Sequence, residues 1–200
     1  MQLFKFLTLS VILLLLISCS EQKKHESQGP YDPKAIELNN RAVKLINLYK
    51  NDSALLLLDQ AIDIDQSYYM PHSNKVTIYV SQADYKKAHR ESELAIEKRP
   101  DLAEGWMMSG LLNEKLGDTI KAQQYYQKSI DLFEARISDP KKKDQIVANK
   151  LSRALSLILV GKEEEGKEEL NKLKQENPDN FMIDQFLKIN RKEFINKFFF

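Results

Sequence analysis

Residues 103–136 read AEGWMMSGLLNEKLGDTIKAQQYYQKSIDLFEAR. Gly117-Asp118 divides this window with a turn signal. Read outward from here, the small residues recur in phase. Ala122 follows Ala88 and Ala54 at intervals of 34, Ser129 follows Ala95 and Ala61, and Ile130 follows Ile96 and Ile62. A fixed period of this length is the mark of a repeat architecture. The units run 35–68, 69–102 and 103–136. A fourth, 147–180, keeps Ala154, Leu157, Gly161, Gly166, Leu170 and Pro178 after an insertion near Ile137 to Ile146.

The third unit carries a family resemblance. Trp106 stands at position four, Gly110 at eight, Gly117-Asp118 at the turn, and Ala122, Tyr126 and Ser129 at twenty, twenty-four and twenty-seven. This pattern resembles the tetratricopeptide repeat, a unit of two antiparallel helices. The resemblance implies an all-α fold over residues 34–200. The expected fold is a right-handed α-α superhelix, a TPR-like solenoid of three to four helix-turn-helix repeats. Alanine and glycine at the in-phase positions let helices approach closely, and larger residues such as Trp106, Leu45, Tyr79 and Tyr126 fill the gaps. No unit buries its apolar face alone, so neighbours must stack and the last needs a cap. Phe181, Ile183, Phe186, Leu187, Ile189 and Phe194 recur at near-helical spacing and predict one capping helix over 181–198. Asp52, Asp84 and Asp118 are the expected N-caps of the second helices. The pattern departs from the family at position seven, normally apolar, where Arg41, Lys75, Ser109 and Arg153 stand. It departs again at Asn113 and Ser92.

The first 18 residues read as an export signal: Lys5 near the start, then an apolar run from Phe6 to Ile17. That run is shorter than the roughly 17–25 residues a membrane-spanning helix needs. Leu16-Ile17-Ser18-Cys19 follows, and Cys19 is the chain's one cysteine. These four residues resemble the lipobox of bacterial lipoproteins, which implies cleavage before Cys19 and diacylglycerol on its thiol. Two or more long acyl chains on one residue anchor stably. Residues 19–33 are then a polar tether broken by Gly29-Pro30 and Asp32-Pro33, spanning about 20 Å as a coil. The expected location is the bacterial cell envelope, held to the membrane by lipid. Ser20 rather than Asp after the cysteine resembles sorting to the outer membrane.

Composition narrows function. The formal charge is +1, so no global field draws in nucleic acid. His25, His72 and His89 lack partners at metal-ligand spacing, and no nucleophile elbow, phosphate loop or dinucleotide fingerprint occurs. The reading is therefore neither an enzyme nor a cofactor or metal protein. Lys141-Lys142-Lys143 reads as a solvated loop. Phe198-Phe199-Phe200 is unusual for a soluble domain and is read as packing on the last repeat, docking on a partner or membrane, or lying disordered.

In tetratricopeptide arrays the first helix of each unit lines a concave groove. The resemblance places Asn39, Val43, Ile46 and Asn47 there from the first unit, and Ser73, Asn74, Thr77 and Ser81 from the second. The third gives Met107, Met108, Leu111 and Glu114, and the fourth Leu151, Leu155, Ile158 and Leu159, where the C-terminal segment is able to cover the groove. Only Asn74 matches the set by which some members clamp a terminal carboxylate. The mixture instead suits an extended segment or an amphipathic helix. The expected function is a membrane-anchored adaptor that binds an unidentified protein or peptide. The alternative is a glycan- or nutrient-binding lipoprotein, with Trp106 and Tyr68, Tyr69 or Tyr79 as the aromatic platform.

Overall fold

The computed structural model describes residues 31–139 and 145–199. The export signal, Cys19, most of the tether, Lys141 to Lys143 and Phe200 lie outside them. The described residues are all-helical, with α1 (Pro33–Asn47), α2 (Asn51–Ile64), α3 (Met70–Ser81), α4 (Tyr85–Lys98), α5 (Ala103–Lys115), α6 (Thr119–Ser138), α7 (Ile146–Leu159), α8 (Glu163–Glu176), α9 (Phe181–Leu187) and α10 (Arg191–Phe198). They fall into two compact units, meeting in sequence at Pro100 and Asp101.

Each of the four first helices ends in the same way. The amide of the residue two past the helix cap reaches back five residues. Lys50 N donates to Leu45 O, Asp84 N to Tyr79 O, Asp118 N to Asn113 O and Lys162 N to Leu157 O, each at 2.9 Å. The residue before each of those donors is left-handed: Tyr49 (φ 57°), Ala83 (φ 57°), Gly117 (φ 95°) and Gly161 (φ 94°). This closing motif uses the last free carbonyls of the helix and turns the chain back. Its recurrence marks the repeat register in the backbone itself.

The in-phase small residues are buried. Ala54, Ala61, Ala88 and Ala95 are core in the N-terminal unit, as are Ala122 and Ser129 in the C-terminal one. Positions eight and twenty-four of each repeat compensate in volume: Ala42 with Leu58, Val76 with Ser92, Gly110 with Tyr126, Ala154 with Leu170. At Gly110 a Cβ would sit 2.6 Å from the Tyr126 ring. At Gly166 it would sit 2.6 Å from the backbone oxygen of Ala154, so α7 and α8 can meet only over a glycine.

In the N-terminal unit α1 packs on α2, α2 on α3 and α3 on α4. Tyr31, ahead of α1, stacks 4.7 Å from Tyr68, and the Asp32 amide donates to the Asp65 carboxylate. The chain therefore enters the unit beside the α2–α3 loop. In the C-terminal unit α6 runs six residues past the length of α2 and α4, into the expected insertion. The extension is held by buried Phe133 and by Arg136, which bonds Glu104 at 2.6 Å and the Asp101 carbonyl at 2.8 Å. Complete burial of the phenyl ring contributes about 3 kcal/mol of transfer free energy.

Two expectations need correction. Asp84 and Asp118 cap α4 and α6 by accepting from Lys87 N and Lys121 N. Asp52 does not cap α2. The position in register is Lys50, which makes no side-chain cap, and Asp52 sits inside the first turn. The capping segment 181–198 is two helices, not one. Asn190 restarts the chain as α10 through a capping box with Glu193, in which each side chain bonds the other residue's amide.

Candidate functional site

In the N-terminal unit the predicted groove residues lie on α1 and α3 and are uncharged. Asn39 and Asn74 form its floor. Both are buried, and the Asn74 side-chain amide donates to the Asn39 oxygen at 2.7 Å. Asn74 thus spends one of its two amide N–H groups on a neighbouring repeat. Thr77 is nearly covered, Val43, Ile46 and Ser73 are half-buried, and Asn47 and Ser81 are exposed. The Ser81 hydroxyl donates to Ile78 O. The result is a face of hydroxyls and amides with Val43 and Ile46, open to solvent at its edge.

The C-terminal unit differs. Met107, Met108 and Leu111 were expected to line an open groove, and all three are buried. Met107 receives a contact from the Ser156 hydroxyl of α7 at 3.3 Å. Leu151, Leu155, Ile158 and Leu159 are also core. Glu114 is engaged by α10: the Arg191 guanidinium donates to both carboxylate oxygens, at 2.7 and 2.9 Å. Arg191 Nε also donates to Leu159 O at 2.7 Å. Tyr126 donates its hydroxyl to Glu114 at 2.9 Å. Burial, with the neighbouring Glu114 charge, pushes the Tyr126 phenol far up, so it stays a donor. Phe198 and Phe199 are buried, with Lys115 Nζ 5.2 Å from the Phe199 ring centroid. The chain's own end covers this face.

Two of the four departures at position seven, Lys75 and Arg153, have a physical reason that the sequence reading missed. Lys75 lies 2.8 Å from Glu91 and 2.9 Å from Asp59, and His72 Nδ1 lies 2.7 Å from the other Glu91 oxygen. Arg153 repeats the arrangement, bonding Glu169 at 2.9 and 3.2 Å. Glu91 and Glu169 both occupy position twenty-three. Opposite charges sixteen residues apart were the available signal. Burial opposes the charge on both Lys75 and Glu91. The hydrogen bonds outweigh it, holding Lys75 above its ordinary value and Glu91 below its own.

Within each unit the residues named for an aromatic platform are engaged by other groups. Tyr68 and Tyr69 are buried and packed with Tyr31, and Arg99 donates to the Tyr69 hydroxyl. Tyr79 lies under Lys87, and Trp106, in the other unit, meets Tyr125 edge-on at 4.9 Å. Among the described residues no group of three or more His, Cys, Asp or Glu is placed to hold a metal. Among them, too, no helix is long and apolar enough to cross a membrane.

The tetratricopeptide-repeat family model matches residues 103–136. The chain carries a tetratricopeptide repeat. The boundaries coincide with the third unit read from the period of 34. The heat shock protein sti1 homolog of Schizosaccharomyces pombe is 31% identical over 78 residues, 39% of this chain. The match spans 13% of that protein's length. Among solved structures, the tetratricopeptide-repeat protein YrrB, described as having an unusual peptide-binding site, is similar at a TM-score of 0.51. The match has 20% identity and covers 82% of each chain. The Sgt2 tetratricopeptide domain of Aspergillus fumigatus gives a TM-score of 0.48 and 23% identity, over 61% of this chain and 83% of that one. The fold is that of a tetratricopeptide solenoid.

Proposed function

We propose that this chain is a lipid-anchored adaptor of the bacterial envelope that binds a peptide or helix on the α1–α3 face. The observation that carries the reading is the contrast between the two units. The C-terminal face is filled by the chain's own end, whereas Val43, Asn47, Ser73 and Ser81 surround the Asn39–Asn74 pair with no such cover among the described residues. The fold shared with YrrB, whose description names a peptide-binding site, supports a polypeptide ligand.

The chemistry of the face narrows the partner. Its donors and acceptors are neutral, so recognition proceeds through hydrogen bonds and apolar contact, with little dependence on salt. The anchor in this reading is Cys19, and the lipobox-like Leu16-Ile17-Ser18 before it supports that assignment. Export to the outer membrane follows from Ser20 under the same resemblance.

Site-specific photo-crosslinking in cells tests the binding face. A crosslinker at Asn47, Ser73 or Ser81 is expected to trap one polypeptide, and one at Gln60 or Arg90, exposed on the second helices, is expected to trap none. Equal capture from both sets would reject the proposal.

A further inference from the structure

The last helix is built as a separable element. α10 has eight residues, too short to hold its own helix in water, and its capping box starts it afresh after the Lys188–Asn190 break. Among the described residues no other helix makes an extended backbone approach to it, and side chains hold it in place. Arg191 forms the bidentate pair with Glu114, 77 residues away, and Phe194 and Phe198 are buried. Lys192, Glu193, Asn196 and Lys197 face solvent.

We infer that α10 is an exchangeable ligand occupying a helix-docking site on the C-terminal unit. The partner that replaces it is an amphipathic helix bearing a cation followed by aromatic residues three and seven positions later. The chemistry of the site sets that pattern. With α10 in place the Glu114 side chain is 15% exposed, and besides Arg191 its hydrogen-bond partner among the described residues is the Tyr126 hydroxyl. A carboxylate left so covered without a counter-charge is strongly unfavourable. A competitor must therefore bring a cation to Glu114. It must also refill the space of the buried Phe194 and Phe198, since Phe186, its ring centroid 6.0 Å from that of Phe194, would otherwise meet water. Arg191, Phe194 and Phe198 fall on one helix face by the i, i+3, i+7 rule, so a single helix satisfies both demands. This site belongs to the C-terminal unit alone and does not depend on the adaptor reading of the α1–α3 face.

The test uses the mature full chain and a fluorescent peptide of residues 188–200. Arg191→Glu places two carboxylates together and loosens α10 in cis. The peptide is expected to bind this variant at least tenfold more tightly than the unaltered chain. Adding Glu114→Arg restores the internal pair and is expected to abolish peptide binding. A peptide with Glu in place of Arg191 is expected not to bind either single-chain form with Glu114 intact. Hydrogen exchange on the unaltered chain is read in parallel, with α10 amides expected to exchange at least tenfold faster than those of α5 and α7. Equal peptide binding by variant and unaltered chain, or α10 amides that exchange only with global unfolding, would overturn the inference. The exchange measurement decides the matter even if Arg191→Glu fails to fold.

Discussion

Tyr49 and Ala83 stand in the left-handed conformation that Gly117 and Gly161 adopt at the same repeat position. A side chain there costs about 1 kcal/mol or more, because Cβ crowds the following carbonyl. Tyr49→Gly and Ala83→Gly are each expected to raise unfolding free energy by about 0.5–1 kcal/mol, after the added freedom of the unfolded chain is set against the relief. Gly117→Ala, where a Cβ meets nothing within 4 Å and backbone strain alone acts, is expected to lower it by about 1 kcal/mol. Urea midpoints compare all three. Gly110→Ala presses on the Tyr126 ring and is expected to cost about 2 kcal/mol. Tyr126→Leu, the residue type found at this position in the first and fourth repeats, removes that clash. A double-mutant cycle should show the Gly110→Ala penalty shrinking by more than half on the Tyr126→Leu background. The small residues were legible in the sequence because their close approaches need low volume wherever the register returns. Lys75 and Arg153 looked like faults in the pattern until their position-twenty-three partners were placed beside them.

At the scale of helices, the charged network joining α2, α3 and α4 ties the stability of the N-terminal unit to pH. Glu91 is held below the ordinary carboxylate value of 4.5. Its contribution is therefore present above that value and lost as pH falls through its folded one. Lys75 is held above 10.5, so its contribution is full below that pH and lost as pH rises through its folded value. The stability that Glu91 and Lys75 contribute should decline in acid below about pH 5 and in base above about pH 10. Lys75→Met leaves Glu91 and Asp59 without their shared cation and is expected to cost about 3 kcal/mol at pH 7. Thermal melts of Glu91→Gln should show a weaker acid decline than the unaltered chain. The helix pairs themselves were readable from the period, because each turn needs the same carbonyl closure. The break between α9 and α10 was not. The apolar spacing from Phe181 to Phe194 runs across it, and neither proline nor glycine interrupts Lys188-Ile189-Asn190. Asn190 and Glu193, spaced as a capping box, were the one local signal of a new helix.

For the whole molecule, the predicted groove face has a different outcome in each of the two units. Asn39 and Asn74 pair with each other beneath an exposed edge, whereas Glu114 is claimed by Arg191. The first outcome joins side chains 35 residues apart, one more than the period, on the first helices of neighbouring repeats. The second is a contact across 77 residues, which no periodicity announces. The proposed anchor is tested at this scale too. Cys19→Ala is expected to move the protein from the membrane pellet to the soluble fraction, and intact-mass measurement of the unaltered chain should show acyl additions on a chain beginning at Cys19. The binding face is tested most directly by hydrogen exchange on the protein in native envelope vesicles, compared with the purified protein alone. Added protection confined to α1 and α3 around Val43–Asn47 and Ser73–Ser81, with α2 and α4 unchanged, is the predicted result. Protection gained on α2 and α4 instead, or on no helix, would contradict it.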